Sequence, residues 1–152
     1  MATSGLRLAG KRILVTHADR FMGAPVAARF KQEGAEVIED FSTPRSAAAG
    51  SALVEAAGEL DVIFANFASP PAPQLVDRVS DAEWSEMFDL LVHPLMGVVR
   101  AGAAQMKPRG GGRIIGMGSA APLRGIPKVS AYVAARGAQL SFLRAAGLEL
   151  AR

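Results

Sequence analysis

Four short apolar runs, "KRILVT" (11–16), "AEVIED" (35–40), "DVIFAN" (61–66) and "RIIGMGS" (113–119), alternate with stretches of helical character, and this alternation constrains the fold more than any other feature. Runs this apolar have little polar face to give to water, so they suit strands of a parallel sheet covered on both sides. A parallel neighbour is reached only by a crossover, and strand–helix–strand units of this kind are right-handed. With 50% hydrophobic and 20% charged residues in 152, the chain has the material for one packed core. The expected architecture is therefore α/β: a doubly wound parallel sheet with helices on both faces, in a single domain over residues 1–152.

The connections fill in this scheme. "THADRFMG" (16–23) leads from the first strand into "APVAARFKQEG" (24–34), where Val26, Ala27, Phe30 and the closing Gly34 fit a helix with a glycine stop. Residues 41–60 are rich in Ala, Ser and Gly, with one helix expected at "SALVEAAGEL" (51–60). "ASPPAPQ" (68–74) reads as a loop, because proline has no N–H to donate. Ser80 and Glu83 form a capping box at the start of 80–107, and Trp84, Met87, Phe88, Leu91, Leu95 and Val98 recur at helical spacing. One long helix kinked at Pro94 is expected there, with a second over 130–152 and neither an internal repeat nor an interdomain linker.

Several classes of function are disfavoured. The chain has no cysteine, and His17 and His93 lack neighbouring groups at metal-ligand spacing, so no metal is expected. The net charge of +3 comes from scattered arginines with no run of five like charges, which argues against nucleic acid as a partner. The opening "MATSGLRLAGKR" lacks the apolar core of a leader and no run of eighteen apolar residues follows, so a soluble, cytoplasmic protein with no membrane partner is expected.

The chemistry concentrates near the fourth run. Ser119 follows that strand directly, Tyr132 comes thirteen positions later at the start of the last helix, and Arg136 lies one turn further on the same face. A cation beside a phenol favours phenolate, whose unperturbed pKa is about 10, so the pair suits a general base. Taken alone, a Tyr-x3-Arg pair is commonly a surface feature; the βαβ setting gives it weight.

This order and spacing resembles the short-chain dehydrogenase/reductase superfamily, a Rossmann-like three-layer α/β/α fold with a Ser-Tyr-Lys triad, across residues 11–152; "NFA" (66–68) stands where that family usually has "NNAG". Two departures are similar to the halohydrin dehalogenase branch. The usual "TGxxxGxG" becomes "THADRFMG", with His17 and Phe21 at the first two glycine positions, and Arg136 replaces the usual Lys. The sequence satisfies that branch's signatures, T-x4-[F/Y]-x-G with Thr16, Phe21 and Gly23, and S-x12-Y-x3-R with Ser119, Tyr132 and Arg136.

The resemblance implies a reaction without a redox cofactor. An aromatic ring at Phe21 would fill the space that a pyrophosphate needs free of Cβ atoms, and the vacated region would become a halide pocket bordered by Phe21, Asn66, Phe67 and Ala120. Ser119 would hold the hydroxyl of a vicinal haloalcohol, Tyr132 would take its proton, and the oxygen would displace the halide to give an epoxide; small anions would open epoxides in reverse. The alternative within the superfamily is an NAD- or NADP-dependent oxidoreductase with a degenerate glycine loop, for which Thr16, Gly23 and Asp40 would contact the cofactor. A third reading is a non-catalytic remnant serving as an oligomer partner.

Plainer readings stand beside these. Phe21 is also what an ordinary packed aromatic after a strand looks like, His17 reads as a turn residue with a satisfied ring, and Asp40 as a solvated strand end. Leu91 falls where the family usually has an Asn of the proton relay. Ala134, Ala138, Ser141 and Ala145 form a small-residue stripe, and the resemblance implies a homo-oligomer, dimer or tetramer, through 80–107 and 130–152. The superfamily continues with a further strand, substrate loop, helix and strand beyond this sequence, so the chain reads as C-terminally truncated, with an apolar edge at the fourth strand and weak or no activity by itself.

Overall fold

In the computed structural model, which describes residues 6–151, four parallel strands form one sheet in the order β2-β1-β3-β4. The strands are β1 (Arg12–Val15), β2 (Glu36–Glu39), β3 (Val62–Ala65) and β4 (Arg113–Gly116). The helices are α1 (Gly23–Gln32), α2 (Ala47–Ala57), α3 (Asp81–Leu91), α4 (His93–Met106), α5 (Ala121–Arg124) and α6 (Ser130–Leu150). Register is set by pairs such as Leu14 with Ile38 and with Ile63, and Ile63 with Ile114. The doubly wound α/β expectation holds, and all four strands fall within the apolar runs.

Side-chain alternation along the strands divides the core. Leu14, Ile63 and Ala65 point to one face, where they meet Val54, Leu91, Leu95, Val98 and Ala135 from α2, α3, α4 and α6. Ile13, Val15 and Phe64 point to the other and meet Ala27, Val26 and Phe30 of α1. Among the described residues α1 is the one helix in that second cluster, and Ile115 of the edge strand β4 stays 44% exposed. The first layer is tight at the crossing of α2 and α4: a Cβ at Gly97 would lie 1.9 Å from the Ala47 carbonyl oxygen, and one at Gly50 2.2 Å from that of Pro94.

Two local expectations are corrected. The long helix over 80–107 is two helices broken at Val92, since Pro94 supplies no N–H and sits well only in the first turn of a new helix. Helix α2 spans Ala47–Ala57 rather than 51–60: the Ser46 hydroxyl caps it by accepting from Ala49 N–H at 3.1 Å, and Gly58, at φ 72°, stops it. The single turn α5 was not read from the sequence at all. The segment Asp81–Arg109 is long and apolar enough to cross a membrane by length and composition, but its apolar side (Leu91, Leu95, Val98, Val99, Met106) is consumed in the core.

Chain order β1, β2, then β3 on the far side of β1 makes the gap between the C-terminal ends of β1 and β3 the topological switch point. In open α/β sheets that crevice is where ligands bind.

Candidate functional site

A cleft of about 940 Å³ opens at this point. Arg20 and Phe21 reach it from the turn after β1, Ala68 to Pro71 from the loop after β3, Gly118, Ser119 and Ala120 from the end of β4, and Tyr132 and Arg136 from α6. Leu90 of α3 completes the wall. Five of the residues singled out from the sequence, Phe21, Ser119, Ala120, Tyr132 and Arg136, thus share one wall-to-wall space although they span more than a hundred positions in the chain.

The turn after β1 keeps a glycine-type backbone without the glycines. Among the described residues, the non-glycine positions with left-handed φ are His17 (46°), Phe21 (48°) and Lys128 (66°). For a bulky side chain this conformation costs about 1–2 kcal/mol, so the surrounding contacts must impose it. They do: the Asn66 amide donates to the His17 carbonyl at 3.1 Å and to the Arg20 carbonyl at 2.8 Å, and the Gly23 N–H donates to the Arg20 carbonyl at 2.8 Å. Gly23 itself is obligatory, because a Cβ there would stand 2.3 Å from the His17 carbonyl oxygen.

The two replaced positions send their side chains in opposite directions. His17 is fully buried, edge-on to Phe67 at 5.4 Å between centroids. Its ring is not satisfied as expected: Nδ1 accepts a long 3.4 Å contact from Ala68 N–H, while Nε2 is buried with no partner. Burial, and then the nearby Arg20, push its pKa below the usual histidine value. Phe21 instead stands 67% exposed in the cleft.

Thr16, Asn66 and Phe67 lie behind the cleft. The Thr16 hydroxyl accepts from Asn66 N–H at 2.9 Å, joining the ends of β1 and β3. Asn66 and Phe67 are both fully buried; Asn66 locks the turn, and Phe67 contributes its carbonyl to Arg136. Asp40 directly follows β2, with one carboxylate oxygen accepting from Ser42, through N–H at 3.2 Å and Oγ at 2.7 Å. Its other oxygen is buried without a partner, so it is not the fully solvated strand end expected.

Arg136 is the centre of the polar network. It is 3% exposed, and its Nη1 donates to the carbonyls of Phe67 and Met117, each at 3.1 Å, and to Gln139 Oε1 at 2.9 Å. Its Nε donates to Tyr132 Oη at 3.2 Å. Ser119 Oγ accepts from Ala121 N–H at 3.1 Å, at the start of α5, which leaves the hydroxyl hydrogen to donate elsewhere. Gln139 was missed by sequence reasoning. The signal was there: Tyr132, Arg136 and Gln139 stand at i, i+4 and i+7, one face of α6, which also carries the buried Ala135.

A doubly wound sheet with a Ser, Tyr and Arg gathered at its switch point defines a class of α/β enzyme fold built around a strand-end cleft. Residues 40–152 match the short chain dehydrogenase family, and the chain belongs to it. It is 29% identical over 167 residues to D-xylose 1-dehydrogenase of Caulobacter vibrioides, covering 94% of this chain and 67% of that protein. It is 28% identical over 169 residues to 3beta-hydroxysteroid dehydrogenase of Mediterraneibacter gnavus, covering 93% and 61%. A solved structure titled "Dehalogenation enzyme" superposes with a TM-score of 0.85 at 26% identity, covering 95% of this chain and 68% of that one. The chain thus spans about two thirds of the length of these relatives.

Proposed function

We propose that the cleft carries out halide displacement: a vicinal haloalcohol is converted to an epoxide without a redox cofactor, within the short-chain dehydrogenase fold. The observation that carries this reading is Phe21, whose ring stands in the same cleft as Ser119, Tyr132 and Arg136 on a backbone position of glycine type. A dinucleotide needs bare backbone there, and the residues present do not fit a diphosphate crossing the turn. Similarity to a solved dehalogenation enzyme supports the reading as well.

The chemistry follows from the polar groups. Ser119 donates its hydroxyl hydrogen to the substrate oxygen, and Tyr132 Oη takes the substrate's O–H proton. Arg136 Nε already donates to that phenol oxygen, so the negative charge needed to accept a proton rests against a cation. The substrate oxygen then attacks the neighbouring carbon, the carbon–halogen bond breaks, and the halide leaves with the bonding pair. The proton passes from Tyr132 to solvent, giving one epoxide, one halide and one proton. Phe21 offers an apolar edge against which a weakly hydrated halide can sit.

A second reading, NAD(P)-dependent oxidation, is favoured by the retained left-handed turn, by Gly23 and by the unpartnered buried oxygen of Asp40 at the end of β2. The names of the curated relatives point the same way. Crystals soaked in bromide distinguish the two: anomalous density among Phe21, Ser119 and Tyr132 supports displacement, whereas tight calorimetric binding of NADH or NADPH with no halide density sinks it.

A further inference from the structure

We propose that Gln139 is a positioning residue for Arg136, a neutral clamp that fixes the guanidinium while leaving its charge undiminished for Tyr132. The inference rests on the reading of Tyr132 as the proton acceptor. Gln139 is 3% exposed; its Oε1 accepts from Arg136 Nη1 at 2.9 Å and its Nε2 donates to the Leu91 carbonyl at 2.6 Å. The amide orientation is dictated by its partners, since a guanidinium only donates and a carbonyl only accepts.

The Leu91 carbonyl is available because α3 ends at that residue, and helix ends leave carbonyls without intrahelical donors. Gln139 therefore ties the break between α3 and α4 to the cation on α6. Buried arginines ordinarily face a carboxylate. Here, among the described residues, the four hydrogen bonds of Arg136 all end on uncharged groups: two backbone carbonyls, the Gln139 amide and Tyr132 Oη. A glutamate at 139 would make a stronger bond but would neutralise the charge in a place where little water screens it. An apolar residue would leave Nη1 with fewer acceptors and the guanidinium freer to turn from the phenol.

The other charged groups around Tyr132 are Arg20 in the cleft, and Glu83, Glu86 and Lys128 around a small hollow on its other side. They are unchanged by substitution at 139, so a difference between variants isolates the clamp. Tyr132 is the one tyrosine in the chain, and its phenolate absorbance reports it alone, with no substrate needed.

The experiment is a spectrophotometric titration of the wild-type chain, Gln139→Glu and Gln139→Met, with circular dichroism as the check of fold. Methionine approximates the volume, so it keeps the packing while removing both hydrogen bonds. The expected result is a midpoint for Tyr132 raised by about one pH unit, tenfold in the ionisation ratio, in Gln139→Glu, and raised by less in Gln139→Met. Midpoints equal to wild type in both variants, with only the melting temperature lowered, would reduce Gln139 to a packing residue and overturn the proposal. A raised midpoint in a chain that releases no halide leaves the clamp standing and removes only the proposed reaction.

Discussion

Arg136 Nε lies 3.2 Å from Tyr132 Oη, with the guanidinium carbon 5.3 Å from the ring centroid, one helical turn apart on α6. In the proposed reaction Tyr132 is the proton acceptor; structurally its ring is partly buried against the core and its hydroxyl accepts from Arg136. Tyr132→Phe is expected to lower halide release by about 10²-fold or more, with a loss of stability limited to the one hydrogen bond it removes from Arg136 Nε. Parallel steady-state assays and thermal melts check both halves.

Arg136 carries the opposite balance. Arg136→Met strands the Phe67 and Met117 carbonyls and the Gln139 amide oxygen, at about 1–3 kcal/mol for each buried acceptor that water cannot reach. Denaturant unfolding should show it several-fold more destabilising than Tyr132→Phe. Equal stability in the two variants would mean that solvent enters behind the cleft.

Gly97 tests the α2–α4 crossing. Gly97→Ala drives a methyl into the Ala47 carbonyl at 1.9 Å, a backbone atom that has no rotamer to escape into. Overpacking of about 1–3 kcal/mol or more is expected, seen as a lowered denaturation midpoint. Gly147→Ala, with open space around its Cβ position, is the matched control and should cost nothing.

Phe21 holds a left-handed φ of 48° with most of its ring in solvent. Phe21→Gly relieves about 1–2 kcal/mol of backbone strain against roughly 0.5–1 kcal/mol of added unfolded-state entropy. The variant should be as stable as wild type or slightly more so, and should bind bromide more weakly. Unfolding curves and halide titration measure the two effects.

His17 predicts a pH dependence. Its folded pKa is depressed by burial, so the unfolded chain takes up the proton first as pH falls. The stability this contributes is present above the unfolded value of about 6.5 and is lost as pH drops from there through the folded pKa. Glu33, lowered to about 2 chiefly by its hydrogen bond to Arg7, acts in a separate window, from the ordinary glutamate value down to about 2. Unfolding free energies measured from pH 7.5 to 5.5 should fall for wild type and stay flat for His17→Asn, since asparagine tolerates the left-handed turn and does not titrate.

Much of the site was legible in the spacing of residues. Ser119, Tyr132 and Arg136 were read from chain order because a strand end and one helical turn fix their relative places locally. Phe21 and Ala120 were expected at the site only through the family resemblance, and both line the cleft. Asn66 and Phe67 sit behind it instead, since facing in or out at a strand end depends on packing against β1 and α6. Helix α2 begins at Ala47, earlier than expected, because the Ser46 side chain caps it.

The amino-acid order by itself determined the alternation of strand and helix, the parallel sheet, and the placing of a phenol beside a cation, because periodicity, capping and helical spacing act over a few residues. Only the tertiary structure decided that His17 and Phe21 keep a glycine-type backbone, that the helix over 80–107 parts at Val92, and that Arg136 is held by Phe67, 69 positions away, and by Gln139. Those features depend on which buried donor meets which buried acceptor. That pairing is settled when distant segments pack together and exclude water.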